Sequence, residues 1–258
     1  MADPQRGDVF DLVGAVAVVT GAARGIGFAA SRALARRGAV VVMFDLLGAE
    51  LEEAATAIRA DGNEVVAVAG SVTEEADLDR LVEEATDRGP VSVVANCAGV
   101  IRRTPVEELT LADLQFMWDV NVGGTVGVTQ RFLPTMIEQR YGKIINVGSL
   151  GSVTGLERRT AYATTKGAVS QYTVSLASEV GVHGIRANVV APGYVDTAMT
   201  GPYIWGEPAR TAHLLGRIPL GRFAKPEDLE GLFVFLASPA SDYITGQVLL
   251  VDGGWRAR

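Results

Sequence analysis

Tyr162 and Lys166 stand four residues apart in Tyr162-Ala163-Thr164-Thr165-Lys166, where a helical pattern begins. That spacing puts a phenol and an ammonium on one helix face. A free tyrosine is a poor base at neutral pH, with a pKa near 10, and a neighbouring cation favours the phenolate. Such a pair suits general acid–base chemistry at an oxygen. Ser149 closes an expected strand thirteen residues earlier, and Asn121 lies within an expected helix farther upstream.

A second group of residues points to a dinucleotide. Thr20-Gly21-Ala22-Ala23-Arg24-Gly25-Ile26-Gly27 follows the first expected strand and opens a helix. Gly21 permits a tight turn, Gly25 clears the side chain where backbone must approach a pyrophosphate, and Gly27 lets the helix pack closely on the sheet; the helix amino end offers N–H donors to the phosphates. The second strand ends at Asp45, eighteen residues beyond Gly27. A carboxylate there accepts hydrogen bonds from the adenosine ribose and repels a 2′-phosphate, and Leu46 supplies no cation to bind one. NAD is therefore expected rather than NADP, although Arg24 is a base that could reach a 2′-phosphate. The positive charge of an oxidised nicotinamide would add to the effect of Lys166 on the phenol.

These residues need elements to position them. Apolar, β-branched runs recur at Ala15–Thr20, Val40–Asp45, Glu64–Ala69, Val91–Asn96, Lys143–Ser149, Arg186–Ala191 and Gln247–Val251. Near-continuous apolar runs suit parallel strands covered on both faces. Helical patterns fall between them at 25–37, 48–60, 74–88, 110–138, 160–181 and 226–237. In Glu74–Arg88, Leu78, Leu81, Val82 and Ala85 share one face, and Glu74 and Glu75 complement the dipole of the first turn. The alternation implies an α/β fold, one doubly wound sheet forming a single domain over residues 1–258. The main irregular stretch, 198–220, carries Pro202, Pro208 and Pro219; it reads as a lid over the crevice beyond the strand carboxyl ends, or as surface decoration.

Taken together, Thr20–Gly27, Asn96-Cys97-Ala98-Gly99, Asn121, Ser149, Tyr162/Lys166, Pro192-Gly193 and Val251-Asp252-Gly253-Gly254 resemble the short-chain dehydrogenase/reductase family, in order and over nearly the whole chain. The resemblance implies a Rossmann-like parallel sheet of seven strands flanked by helices, and a homotetramer, with dimers also known. It implies that Tyr162 accepts the proton in alcohol oxidation and donates it in carbonyl reduction, and that Ser149 orients the substrate oxygen. Lys166 would hold the nicotinamide ribose and depress the tyrosine pKa, and Asn121 would position a water in a proton relay. Asn96, Ala98 and Gly99 would flank the adenosine ribose and the sheet centre. Pro192, Gly193, Val195 and Thr197 would meet the nicotinamide end. Ser71 stands where the family often has an Asp beside the adenine, leaving Val72 to contribute backbone and apolar contact. Cys97 stands where a second Asn is common and reads as a buried, inert thiol.

Two arginine pairs bear on the substrate. Arg102 and Arg103 follow Gly99, and Arg158 and Arg159 precede Tyr162. Guanidinium groups suit carboxylate, phosphate or sulfonate oxygens; solvated arginines or subunit-interface ion pairs explain them equally well. The Gly99–Arg103 stretch resembles sugar-acid dehydrogenases of the family, of gluconate and 2-dehydro-3-deoxygluconate type, so the expected substrate is a sugar, sugar acid or other anionic sugar. Tyr194, Tyr203 and Trp205 could wall the pocket. A 3-oxoacyl thioester reductase, a polyol or steroid dehydrogenase, and a cofactor-sensing regulator remain as alternatives.

Composition sets the outer bounds. The formal net charge of −7 over 258 residues argues against a nucleic-acid partner. One cysteine excludes an intrachain disulfide, and two histidines make a metal site unexpected. Met1–Phe10 lacks the apolar stretch of a secretory leader, and no apolar run is long enough to span a membrane, so a cytoplasmic enzyme is expected.

Overall fold

A computed structural model gives the structure of the chain and describes residues 8–257. Residues 1–7, most of the amino-terminal stretch considered for a leader, and residue 258 lie outside the described residues.

The apolar runs form seven strands: β1 Val16–Thr20, β2 Val40–Asp45, β3 Val65–Ala69, β4 Val91–Asn96, β5 Gly142–Val147, β6 Ile185–Pro192 and β7 Val248–Val251. They join in one sheet of order β3-β2-β1-β4-β5-β6-β7, every pairing parallel. Strands β1, β2 and β4 are almost wholly buried because both faces are covered, which is why their sequences do not alternate. One face packs α1 (Gly25–Ala35), α2 (Gly48–Ala60) and α9 (Glu230–Ala237) through a core that includes Leu34, Met43, Leu51 and Phe233. The other packs α3 (Glu75–Thr86), α5 (Gly124–Glu138) and α6 (Thr160–Val180) around Phe44, Leu81, Phe132 and Met136.

The order of strands reverses between β1 and β4, so the crevice of a doubly wound sheet opens beyond their carboxyl ends. Thr20 closes β1 there, and its Oγ1 accepts the N–H groups of Cys97 and Ala98 at 3.2 Å each, pinning the chain as it leaves β4.

Three local departures from the sequence expectation shape the site. The 110–138 pattern is not one regular helix: α4 (Leu111–Trp118) and α5 are joined by a wide π-turn, Asp119–Gly123. Such turns arise from one residue in excess of the α-helical pitch, which an averaged hydrophobic period does not register. The fifth strand ends at Val147, so Ser149 lies just past it and caps the short turn Leu150–Ser152. The 198–220 segment contains two helices, α7 (Gly201–Ile204) and α8 (Pro208–Gly216), each accepting its proline in the first turn, where the missing N–H costs nothing.

Candidate active site

The turn Leu150–Ser152 is built to hold Ser149 against α6. Ser149 Oγ accepts the Gly151 N–H at 3.1 Å, the Ser149 N–H donates to Ser152 Oγ at 3.1 Å, and Ser152 Oγ donates to the Lys166 carbonyl at 2.9 Å. Tyr162, in the first turn of α6, thereby shares the wall of one small pocket with Ser149. One helical turn on, Lys166 is buried and donates from Nζ to the Val147 carbonyl at 2.7 Å. Asn121 hangs from the π-turn with no exposed surface. Its Oδ1 accepts the Val100 N–H at 2.8 Å, and its Nδ2 donates to the Val100 carbonyl at 3.0 Å and to Thr165 Oγ1 at 2.9 Å. A Cβ added at Gly99 would stand 3.2 Å from Asn121 Oδ1 and 3.4 Å from Lys166 Nζ, so the four residues and the β4 loop converge on one spot.

The electrostatics of that spot differ from the sequence expectation. Burial pushes the Tyr162 hydroxyl above its ordinary value, and the Ser149 hydroxyl and the Arg159 and Arg103 guanidiniums draw it back. The cations facing the phenol are thus arginines, whereas Lys166 Nζ lies 6.0 Å from the Tyr162 ring centroid. Lys166 is itself pushed down by burial to about 8, and the nearby Cys97 works in the other direction. Burial pushes the Cys97 thiol up to about 12, with Lys166 pulling it down, so the thiolate is not formed near neutral pH.

The glycine turn fits a dinucleotide on the structure's own terms. Gly21 and Gly25 have φ of +65° and +58°, the left-handed region where a Cβ is costly. A Cβ at Gly27 would lie 2.1 Å from the Gly21 carbonyl oxygen, which no rearrangement short of opening the turn relieves. No side chain caps α1, and the N–H groups of Gly25, Ile26 and Gly27 find no acceptor among the described residues, leaving donors aimed where a pyrophosphate would lie. Thr197 reaches this turn from beyond β6, its Cγ2 3.4 Å from a Cβ built at Gly25, so the Pro192–Thr197 end and the glycine turn bound one groove. Asp45 closes β2 with its carboxylate accepting the Ala23 N–H and the Leu47 N–H, both at 3.0 Å. Leu46 beside it is exposed, and so is Arg24.

Other expected contacts are placed less simply. Asn96 Nδ2 donates to Thr129 Oγ1 of α5 at 3.1 Å and to Asn146 Oδ1 of β5 at 2.8 Å, so its side chain ties β4 to its neighbours at the sheet centre. Ser71 shares its hydroxyl with Thr73 at 2.8 Å, and Val72 packs against α5 at Gly124. Ala98 and Gly99 border the groove as β4 ends. Gly193 follows β6, where its N–H donates to the Val251 carbonyl at 2.9 Å, and Val195 bridges to Ala224.

The structure splits both arginine pairs. Arg102 turns outward, ion-paired with Asp113 and stacked on Phe116, while Arg103 turns inward. Arg158 adopts φ +57°, and its carbonyl accepts the Thr104 N–H at 3.0 Å, which ties the two arginine-bearing loops together. Arg159 is consequently buried, donating to Tyr194 Oη at 3.1 Å. A small inner pocket of about 50 Å³ holds Ser149, Tyr162, Arg103, Arg159, Gly193 and Tyr194. It shares Arg103, Leu156, Arg159, Tyr194 and Tyr203 with a larger outer cavity of about 460 Å³, to which α8 contributes His213. Sequence reasoning did not single out Arg210, His213 and Arg217, which also line it. Their spacing of three and four residues is a helical face, a signal obscured by reading 198–220 as irregular.

The chain matches a family model described as enoyl-(acyl carrier protein) reductase over residues 21–256. It is 39% identical to the gluconate 5-dehydrogenase of Gluconobacter oxydans (strain 621H) over 248 residues, 96% of each chain. It is 37% identical to the 5-keto-D-gluconate 5-reductase of Escherichia coli (strain K12), covering 96% of this chain and 97% of that one. Among solved structures it superposes on a gluconate 5-dehydrogenase from Burkholderia cenocepacia J2315 in complex with NADP and tartrate, with a TM-score of 0.92 and 34% identity over 97% of this chain and 98% of that one.

Proposed function

Since the chain belongs to the short-chain dehydrogenase/reductase family, an oxidoreductase family, we propose that it moves hydride between NAD(H) and a secondary alcohol or ketone carbon of a sugar acid. The observation that carries the substrate class is the pair of inward guanidiniums, Arg103 and Arg159, on the wall that also holds Tyr162. A carboxylate-bearing sugar would pair with them while its reacting oxygen met Ser149 and Tyr162. The gluconate-type relatives support the same class.

Each residue then has a physical task. Ser149 fixes the substrate oxygen, and Tyr162 takes its proton in oxidation or returns it in reduction. Arg159 and Arg103 favour the phenolate that oxidation requires. Lys166 would hold the ribose beside Gly99, and Asn121 bonds the Val100 backbone and the Thr165 side chain around it. A bound nicotinamide supplies the hydride chemistry, which the protein does not carry out itself.

Asp45 and Leu46 at the end of β2 support NAD, because a carboxylate there penalises a 2′-phosphate; the NADP in the Burkholderia cenocepacia structure and the exposed Arg24 weigh on the other side. Residues 198–220 serve as the lid, since Met199, Tyr203, Arg210, His213 and Arg217 all line the two pockets. Exposed apolar side chains on and before α4, Val106, Leu111, Phe116 and Trp118, support a homotetramer. No described helix is long and apolar enough to cross a membrane. The description of the family model favours a second reading, a thioester reductase, but a cavity lined by five arginines is a poor match for an apolar acyl chain.

The test is an absorbance screen for NADH or NADPH formation over aldonates, aldoses, polyols and hydroxyacyl thioesters, run beside Tyr162→Phe. Aldonate oxidation that falls by about 100- to 10,000-fold in the variant, with cofactor affinity kept, is the expected result. Undiminished turnover by Tyr162→Phe would refute the acid–base role, and activity confined to thioesters or polyols would refute the substrate class.

A further inference from the structure

Three guanidiniums surround one ring. The Cζ atoms of Arg159, Arg210 and Arg103 lie 4.5, 4.6 and 4.8 Å from the Tyr203 centroid, so no two can be farther apart than the sum of their distances to it. Arg217 lies 4.3 Å over Trp255 on the same cavity wall, and Trp255 stacks in turn on Tyr194 at 4.9 Å. With Arg158, five arginines line the outer cavity against one lining carboxylate, Glu157. One further acid, Glu207, pairs with Arg210 at 2.6 Å. Among the described residues, Arg103, Arg159 and Arg217 have no carboxylate partner, and the buried Nε atoms of Arg103 and Arg159 have no acceptor. Burial and the proximity of Arg159 disfavour the charge on Arg103, as expected where like charges are gathered without compensation.

A single carboxylate cannot neutralise this set. Arg103 and Arg159 at the neck suffice for one anionic group near the reacting carbon, while Arg210, Arg217 and His213 stand in the outer chamber alone. We infer that the substrate carries two anionic groups: a sugar acid whose end remote from the first bears a tetrahedral oxyanion, phosphate or sulfonate, seated between Arg210 and Arg217. This deepens the sugar-acid reading and rests on it for the carbon skeleton, but the anion chamber itself is independent of which bond reacts. The ring faces of Tyr203 and Trp255 hold the guanidinium planes in place, which keeps their N–H forks available to the oxyanion.

The experiment compares kcat/KM for a plain aldonate with that for the same aldonate carrying a terminal phosphate or a terminal sulfonate, in the wild type and in Arg210→Gln/Arg217→Gln. Binding of the phosphorylated aldonate is titrated calorimetrically in both proteins. The doubly charged substrates are expected to be favoured tenfold or more, with the preference falling toward parity in the double variant. The two sources of charge separate by pH: the phosphate loses its second proton near pH 6 and the sulfonate keeps one charge throughout, so binding of the phosphate relative to the sulfonate strengthens across that range, and the effect of His213, common to both, cancels in the ratio. Equal or better use of the plain aldonate, or a preference that survives in the double variant, overturns the inference and leaves the sugar-acid reading standing. Tight binding of the doubly charged ligand that is lost in the double variant, with no aldonate of any kind turned over, sustains the anion chamber and removes the sugar-acid reading instead. Absence of both binding and turnover overturns the chamber as well.

Discussion

Lys166 is kept in the active site at a cost to stability that can be measured. Its ammonium is buried beside the Val147 carbonyl, and its pKa falls from 10.5 to about 8. At about 1.4 kcal/mol per pH unit, the fold disfavours the charged form by about 3 kcal/mol. Lys166→Met removes that penalty and fills the same volume, while leaving the Val147 carbonyl without its donor, a loss of about 1–3 kcal/mol. At pH 7 the variant should therefore be as stable as the wild type or up to about 2 kcal/mol more stable, although catalytically dead. The pH dependence is sharper. Below pH 8 the lysine is protonated in both folded and unfolded chains, and the penalty is fully present. Between pH 8 and 10.5 the folded chain loses the proton first, so the unfolded chain binds more protons and wild-type stability rises with pH. The stability of Lys166→Met relative to the wild type should fall by roughly 2–3 kcal/mol between pH 7 and pH 10, which turns parity or a small advantage into a deficit. Urea unfolding of both cofactor-free proteins at each pH measures this, and effects of other titrating groups cancel in the difference. A difference that stays level across that range would falsify the claim that burial sets the state of this lysine.

The remaining perturbations probe the groove and the phenol. Gly27→Ala, which drives a Cβ to 2.1 Å from the Gly21 carbonyl oxygen, should cost about 3 kcal/mol or more and abolish dinucleotide binding. Gly25→Ala meets only Thr197 at 3.4 Å and is strained by its φ of +58°, at a cost of about 1–2 kcal/mol; the reverse order in melting temperatures would contradict the packing described. Asp45→Ala should narrow the preference of NAD over NADP and lower stability by about 1–3 kcal/mol through two orphaned backbone N–H groups. Asp45→Asn keeps an acceptor while removing the charge, so an unchanged cofactor ratio in both variants would place the control elsewhere. Arg159→Met removes a cation that favours the Tyr162 phenolate; the rise of alcohol oxidation with pH should move to higher pH, and an unmoved pH–kcat profile would mean the guanidinium does not act on the phenol.

The sheet was legible because a parallel strand buried on both faces is written as an unbroken apolar run, and each of the seven expected runs overlaps an observed strand. The candidate catalytic residues could be singled out because their types and order resemble a family. The arginines were harder for a geometric reason. Arg102 and Arg103 lie in irregular chain after β4, where no period says which side chain faces inward, and the ion pair with Asp113 that turns Arg102 outward joins residues apart in sequence. At the second pair, with Arg158 left-handed, only Arg159 enters the inner pocket although both line the outer cavity, and arginine rarely announces that conformation. For Asn96 the place at the end of β4, near the sheet centre, was readable, but the hydrogen bonds to Thr129 and Asn146 that orient its side chain join residues far apart in sequence. The prolines of 198–220 suggested loop, yet two of them open helices.

The wide turn at Asp119–Gly123 gives the helix layer a phase as well as a shape. The buried stripe of α5, which includes Val128, Phe132 and Met136, faces the sheet in the phase set by the one surplus residue that precedes it. Excising that residue would restore an uninterrupted spiral and swing the whole of α5 by about 100° about its axis, carrying its apolar stripe out of the interior. The irregularity that suspends Asn121 is therefore also the indexing device for fifteen residues of helix, and the chain cannot discard one role while keeping the other.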